Sequence, residues 1–403
     1  MMIMRAQRMR DVRSDIRGPL FEEALRMQAD GLDVLKLNTG NPGTFGFGLP
    51  DSLRQALLAG MDRAVPYSDL RGMADARQSI LSYHQGKGVQ GLAMDDIYLG
   101  NGVSELAHMA LTALFNPGDE LLLPAPCYTL WSNTARLMDA RPVFYRCDEA
   151  SGWYPDAEDI RRKITPRTRG LLIINPNNPT GALYPRPVLE ELLDIAREHR
   201  LLVFSDEIYD RLVFDDAPHT ATAALAPDLP VITMNGLSKS HNVCGFRSGW
   251  MVVSGPRERT REILTGFTQL AAMRLCANTL MQLVVPAALA DNESTQAMIR
   301  PGGRLYEQRR ATLEVLGTVE GISFVPNAAA FYLFPKLDTQ LFGITDDRAF
   351  AMDLLHATNI LVIPGSGFEL DTPDHLRIVM LPEAAQLRAA MERMKEYLET
   401  RRA

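Results

Sequence analysis

The chain has 403 residues, 46% hydrophobic and 23% charged, with a formal net charge of -7. This composition excludes an extensively disordered or low-complexity protein, and the negative charge argues against a nucleic-acid partner. At this length two domains are expected.

Met1 to Arg10 holds three arginines and four methionines with no apolar stretch of signal-peptide length after it, and is expected to be a mobile arm. No window offers the roughly 18 uninterrupted apolar residues of a membrane span. The most apolar stretch, 270 to 290, is broken by Arg274, Asn278, Gln282 and Pro286. A soluble cytoplasmic protein is expected. Cys127, Cys147, Cys244 and Cys276 are scattered with no CxxC pair, so reduced buried thiols and no metal site are expected.

From about 50 to 255 strands and helices alternate, which points to an α/β layer around a largely parallel sheet. Helical periodicity over 103 to 115 stops at Asn116-Pro117-Gly118. Apolar runs at 120–123, 142–145, 170–174, 201–204 and 231–234 predict strands buried on both faces. After Gly255 come long helical stretches, 256 to 291 and 296 to 317. Short strands follow near 322–325, 331–335, 361–363 and 375–380, with a terminal helix over 383–400. We expect the arm and part of a small domain in 1–45, a large domain in 46–290 and a smaller α+β domain in 291–403.

Ligands of open α/β sheets gather where strands end and helices begin. Four such loops carry chemistry. In Leu99-Gly100-Asn101-Gly102-Val103-Ser104-Glu105, glycines precede a helix start whose amides, with the Ser104 hydroxyl, can hold a phosphate dianion. It is not GxGxxG, and no such fingerprint follows a strand, which counts against a nicotinamide dinucleotide. Pro124-Ala125-Pro126-Cys127-Tyr128 offers a tyrosine to lie over a planar ring. Asn175-Pro176-Asn177-Asn178-Pro179-Thr180-Gly181 is a rigid turn that can aim an amide at a ligand oxygen. Ser205-Asp206-Glu207-Ile208-Tyr209-Asp210 ends a strand with a carboxylate able to keep a pyridine nitrogen protonated and a phenol able to donate to a ring oxygen. Taken singly, a glycine turn, a tyrosine beside prolines or a charged strand end is equally at home in a structural role.

The fifth element joins them. Asn235-Gly236-Leu237-Ser238-Lys239 follows an apolar strand, with Arg247 eight residues on, and presents an amine that can condense with an aldehyde. An amine for the aldehyde, a carboxylate for the ring nitrogen and a phosphate cradle are together what pyridoxal 5′-phosphate (PLP) requires.

With these residues assembled, the chain resembles class I aminotransferases of PLP fold type I over nearly its whole length. It is most similar to the bacterial glutamate-pyruvate, alanine-forming group. The stretches Asp15 to Pro19, Leu37 to Pro42, Asn175 to Gly181, Ser205 to Asp210, Asn235 to Arg247 and Pro301 to Arg309 carry the likeness. The resemblance implies a large domain with a mostly parallel seven-stranded sheet plus a smaller α+β domain. It assigns Lys239 to the covalent bond with PLP and to proton shuttling, Asp206 to the pyridine nitrogen, and Asn178 with Tyr209 to the ring oxygen. Gly102, Val103, Ser104, Ser238 and Arg247 would hold the phosphate, with Tyr128 stacked on the ring. Arg377, in His375-Leu376-Arg377-Ile378, would clamp the substrate α-carboxylate, and Gly40 and Asn178 would lie beside the substrate.

The resemblance also implies a homodimer with its sites at the subunit boundary, Tyr67 reaching the neighbour's phosphate and Asn278 approaching from the partner. The implied activity is ping-pong transfer of an amino group between an L-amino acid and a 2-oxo acid, with alanine, glutamate, pyruvate and 2-oxoglutarate as substrates. Arg17 would pair with a distal carboxylate such as that of glutamate, its alternative being a surface arginine. Near the expected pocket the chain departs from that group: Ser14 replaces Tyr, Cys127 Asp, Asn242 Arg and Ala329 Gly. These exchanges leave a paralogue serving another amino acid as an alternative. The cofactor residues also admit a lyase, decarboxylase or oxidase. An aminotransferase-like regulator would need a DNA-binding domain for which the N-terminal stretch offers no room.

Overall fold

The computed structural model describes residues 4–402. Residues 1–3 of the expected arm lie outside the described residues, and Gln7–Met9 forms one 3-10 turn. Helix Pro19–Ala29 leads to strand β1, Leu35–Lys36. The main sheet follows: β2 (Ile97–Asn101), β3 (Glu120–Ala125), β4 (Arg141–Asp148), β5 (Tyr154–Pro155), β6 (Thr168–Ile174), β7 (Leu202–Asp206), β8 (Val231–Gly236) and β9 (Ser248–Ser254). Its spatial order is β2-β9-β8-β7-β6-β3-β4-β5.

The five strands β8, β7, β6, β3 and β4 run parallel. Strand β9 is antiparallel to both its neighbours, and β5 to β4. The mostly parallel α/β architecture is therefore present, with eight strands where seven were expected. The apolar runs singled out in the sequence mark the five parallel strands. Glycine and polar residues end β2 and flank the apolar run 250–253 of β9, while β5 is a two-residue edge held by the register Cys147↔Pro155 and Asp148↔Tyr154.

Continuous apolar runs are needed because successive side chains of a strand point to opposite faces. Leu171 and Ile173 pack on one face with Val203 and Val231, and Leu172 and Ile174 on the other with Phe204, Ile232 and Met234. Each of these residues is at most 2% exposed, a burial that stabilises by ~1.5–3 kcal/mol per large side chain.

Two expected long helices are broken. The stretch from 256 to 291 becomes Arg257–Met273, Thr279–Gln282 and Val285–Ala290. Leu275 at φ +70° ends the first piece, the Asn278 side chain caps the second, and Pro286 sits in the first turn of the third. The stretch from 296 to 317 divides into Glu293–Ile299 and Arg304–Leu316 around Pro301-Gly302.

The remaining strands are β10 (Ile322–Ser323), β11 (Tyr332–Leu333), β12 (Lys336–Leu337), β13 (Ile360–Leu361), β14 (Ile363–Pro364) and β15 (Leu376–Val379). β15 pairs antiparallel with β11 and β14, which brings Arg377 beside the large sheet. β1 pairs in parallel with β13, and Leu20, Ala24 and Met27 share a core with Leu354, Leu355 and Leu387. The N-terminal segment thus packs with the C-terminal part of the chain, which carries Ser14, Arg17 and Gly40 toward the sheet.

Beyond β7 the chain is anchored by charge. The Lys87 Nζ lies 2.5 Å from Asp210 Oδ2 and 3.6 Å from Glu207 Oε2, and the Tyr83 hydroxyl donates to Asp210 at 2.6 Å. Burial opposes the Asp210 charge, but Lys87 overcomes it and holds the carboxyl well below the usual range. Lys87→Ala leaves two buried carboxylates without a cation and is expected to destabilise by about 3–5 kcal/mol. Urea unfolding measures this, and an unchanged midpoint would show that the pair contributes nothing.

Candidate active site

The ends of β3, β6, β7 and β8 open on one cavity of about 690 Å³. Val103, Ser104, Tyr128, Asn178, Asp206, Tyr209, Ser238, Lys239 and Arg247 line it, joined by Gly40 and Arg377, and by Ser14 and Arg17 from the N-terminal segment. Residues from eight separate stretches of sequence thus share one space.

At one end, helix Val103–Leu114 starts at Gly102, whose φ is +83°. A Cβ at Gly102 would overlap the Arg247 guanidinium. The positive φ favours glycine there, and a side chain would push the guanidinium aside. It places bare amides and a guanidinium side by side, a site for an anion.

The Asn-Pro loop is held from within. Asn177 Oδ1 accepts from the Thr180 hydroxyl at 2.9 Å, and the Gly181 amide donates to Asn177 O at 2.9 Å. Both Asn-Pro bonds are cis, as is Ala125-Pro126. Asn178 stands 6% exposed, its Oδ1 accepting from Arg377 at 3.2 Å.

Asp206 is the anion of the cavity, 5% exposed. Its partners are both neutral: the Trp131 indole N–H at 3.0 Å and the Ile208 amide at 3.3 Å. Burial raises its pKa to about 6, against the lowering effect of those two donors. Lys239 Nζ donates to Gly40 O at 2.7 Å, with Cys244 Sγ 3.7 Å away. A Cβ at Gly40 would overlap Phe331 and Tyr332, so only glycine lets this carbonyl approach.

Tyr209 shares a 2.8 Å hydroxyl bond with Tyr332, and burial keeps its phenol neutral by raising the pKa well above the ordinary value. Arg377 is 1% exposed and sandwiched between Tyr332 and Phe368, 4.7 and 4.6 Å from their ring centres. Its bonds go to Asn178 Oδ1 and Asn38 O. Among the described residues no carboxylate pairs with it. Burial lowers its pKa, yet a guanidinium stays charged in proteins.

Some expected residues stand elsewhere. Gly102 lies behind the lining, and Tyr67 is 78% exposed, outside the cavity of this chain. Asn278 caps a helix, with its amide on Asn101 Oδ1. Of the four departures only Ser14 lines the cavity. Cys127 is buried with its amide on Phe368 O, Asn242 donates to the Met298 sulfur, and Ala329 is buried with its amide on Gly181 O. Sequence reading missed Trp131, Cys244 and Tyr332. The spacing Tyr128-x-x-Trp131 at a helix start is the one local signal that pointed to Trp131. Behind β7, Glu207, Asp210 and His219 converge in the manner of metal ligands, but Lys87 supplies the cation there.

A family model for class I and II aminotransferases matches residues 32–394. The chain belongs to this family. The aminotransferase is 46% identical over 396 residues to the glutamate-pyruvate aminotransferase AlaA of Escherichia coli K12, covering 98% of each chain. It is 44% identical over 392 residues to an alanine aminotransferase of Mycobacterium bovis, covering 97% of this chain and 91% of that one. The solved alanine aminotransferase of Pyrococcus furiosus superposes with a TM-score of 0.94 at 34% identity, over 99% of this chain and 100% of that one.

The raised Asp206 makes stability depend on pH. Folded and free of cofactor, Asp206 keeps its proton up to about pH 6, whereas in an unfolded chain it loses it near ~4. Between those values the folded state binds more protons, so the contribution of this group falls as pH rises through the window. Asp206→Asn is expected to remove a slope worth about 2–3 kcal/mol. Urea unfolding of both cofactor-free proteins between these pH values is the check. Identical slopes would mean that Asp206 titrates normally.

Proposed function

We propose that this aminotransferase uses PLP to exchange amino groups between alanine and 2-oxoglutarate and between glutamate and pyruvate. The observation that carries the reading is the fully buried Arg377, without a carboxylate partner among the described residues, in the same cavity as Lys239. The uncompensated guanidinium calls for an anion from outside the chain, and an α-carboxylate supplies it through two parallel N–H bonds.

The residues fit PLP. A cradle that a Cβ would fill suits a phosphate, and a buried carboxylate with only neutral donors leaves its charge for a pyridinium. Gly102, Val103, Ser104, Ser238 and Arg247 would hold the phosphate, Tyr128 the ring face, Asp206 the ring nitrogen, and Asn178 with Tyr209 the ring oxygen. When bound, PLP supplies the electron sink for the pair left at the substrate α-carbon.

The chain's own part is proton transfer and orientation. Arg377 fixes the α-carboxylate and so sets the direction of the α-C–H bond. Lys239 Nζ, in the same cavity, would remove that proton as general base. Tyr209 donates as a neutral phenol. Gly40 keeps the backbone close to the substrate without a side chain in its path. The names of the Escherichia coli, Mycobacterium and Pyrococcus relatives support alanine and glutamate as donors, and Arg17 at the cavity supports a distal carboxylate.

The proposal includes a homodimer in the cytoplasm. Leu58, Val65, Tyr67 and Met273 stand 64%, 85%, 78% and 81% exposed, apolar side chains that a second copy would cover. Covering them with a second copy would bring Tyr67 toward the neighbouring cavity. The four cysteines are unpaired, and among the described residues no helix is long and apolar enough to cross a membrane.

Lys239→Ala is expected to fold, to lose the visible absorbance of covalently held PLP, and to turn over at least roughly 10²-fold more slowly. Retained turnover would remove Lys239 from its role. A panel of amino donors and oxo acceptors decides the substrate: alanine with 2-oxoglutarate is expected to be among the fastest pairs, and release of ammonia or carbon dioxide would replace transamination by a lyase or decarboxylase. Arg17→Ala is expected to raise KM for glutamate roughly 3- to 10-fold with little change for alanine. Equal effects on both would make Arg17 a surface arginine.

A further inference from the structure

Asp206 is held in an unusual way. A buried carboxylate ordinarily keeps its charge through a cationic partner or several hydrogen bonds. Asp206 has two neutral donors, and the stronger of them comes from outside its own strand: the Trp131 indole, in helix Leu130–Leu137, reaches Oδ2 at 3.0 Å, while the Ile208 amide reaches Oδ1 at 3.3 Å. Trp131 is 0% exposed and leans on Phe204 with ring centres 5.8 Å apart, so its N–H direction is set by packing. An indole N–H can only donate and does not titrate.

We propose that Trp131 is a positioning residue for the cofactor site: its indole N–H holds Asp206 in the charged form and so decides on which side of the Asp206–pyridine pair the shared proton sits. This rests on the PLP reading above. A proton can reside on the carboxyl or on the ring nitrogen without changing the composition of the pair. With it on the ring, the ring attracts electrons strongly; with it on the carboxyl, the sink is weak. An N–H aimed at Oδ2 bonds the carboxylate more strongly than the acid, so it biases the proton toward the ring.

The titratable groups facing Asp206 do not do this work. Glu207, its chain neighbour, acts in the opposite sense by repulsion, and the buried Tyr209 is a neutral phenol. No basic side chain bonds to Asp206 among the described residues. The competing explanation is that Asp206 merely satisfies a buried indole. The two differ in what they predict for the proton.

The experiment compares wild type with Trp131→Phe, which keeps an aromatic ring and removes the donor, and with Phe204→Leu, which disturbs the same packing and leaves the donor. If Trp131→Phe fails to fold, benzothienylalanine at position 131 keeps the indole shape without its N–H. In the cofactor-free proteins, titration of ¹³C-labelled aspartate carboxyls, with Asp206 assigned through Asp206→Asn, is expected to show the Asp206 midpoint about one pH unit higher when the N–H is lost. Phe204→Leu is expected to leave it in place. With PLP labelled by ¹⁵N in the ring, loss of the N–H is expected to move the signal toward neutral pyridine and to weaken PLP binding roughly tenfold.

An unmoved carboxyl midpoint together with an unmoved ring signal, in a folded protein without the N–H, overturns the proposal and leaves Trp131 a packing residue. Equal shifts in Phe204→Leu overturn it as well. Should the wild type take up no PLP, the functional reading falls, while the carboxyl titration still judges the hold of Trp131 on Asp206.

Discussion

Five parallel strands buried on both faces set the terms for everything else. Parallel neighbours cannot be joined by a tight hairpin, so crossovers connect them, and all five strands finish at the same edge. The turns after β3, β6, β7 and β8 are therefore gathered there, however far apart they lie in the chain. Tyr128, Asn178, Asp206 and Lys239 meet for this reason. The apolar sandwich of Leu171 to Ile174 with its neighbours on both sides keeps those turns on a rigid base.

That base supports a cavity of separated, unmatched charge. Lys239 bonds to a carbonyl, Arg377 to an amide oxygen and a carbonyl, and Asp206 to an indole and an amide. None of the three neutralises another. Elsewhere the fold pairs its buried charges, as Lys87 does with Asp210 and Glu207. A site that withholds such pairing keeps the full electrostatic attraction for a ligand carrying a carboxylate and a pyridinium, at a cost in stability that the surrounding core offsets.

Much of this was legible because the chemistry of each residue type narrows its role. Gly102, Asn178, Asp206, Lys239 and Arg247 stand in turns with local signals: glycine before a helix, doubled Asn-Pro, a charged strand end, and a lysine after Gly-Leu-Ser. Strands β2 and β9 were harder to read, since their apolar runs, 97–99 and 250–253, are short and bounded by glycine and polar residues, and only the pairing of the two strands shows where they belong. The broken helices were misread because helix-compatible apolar residues stand on both sides of Leu275 and of Pro301-Gly302, where left-handed backbone and proline stop the helix. Cys127, Asn242 and Ala329 were placed near the pocket by likeness alone, and none of them lines it.

The sequence by itself determined the α/β class, the family likeness and the groups that do chemistry, because these follow from local composition and spacing. It could not determine which distant groups face one another. The Trp131 bond to Asp206 spans 75 residues, the Tyr209–Tyr332 pair 123, and the approach of Lys239 to Gly40 199. Only the crossing of strands and the packing of helix Leu130–Leu137 against β7 brings these together, since a hydrogen bond depends on position and direction in space rather than on separation along the chain.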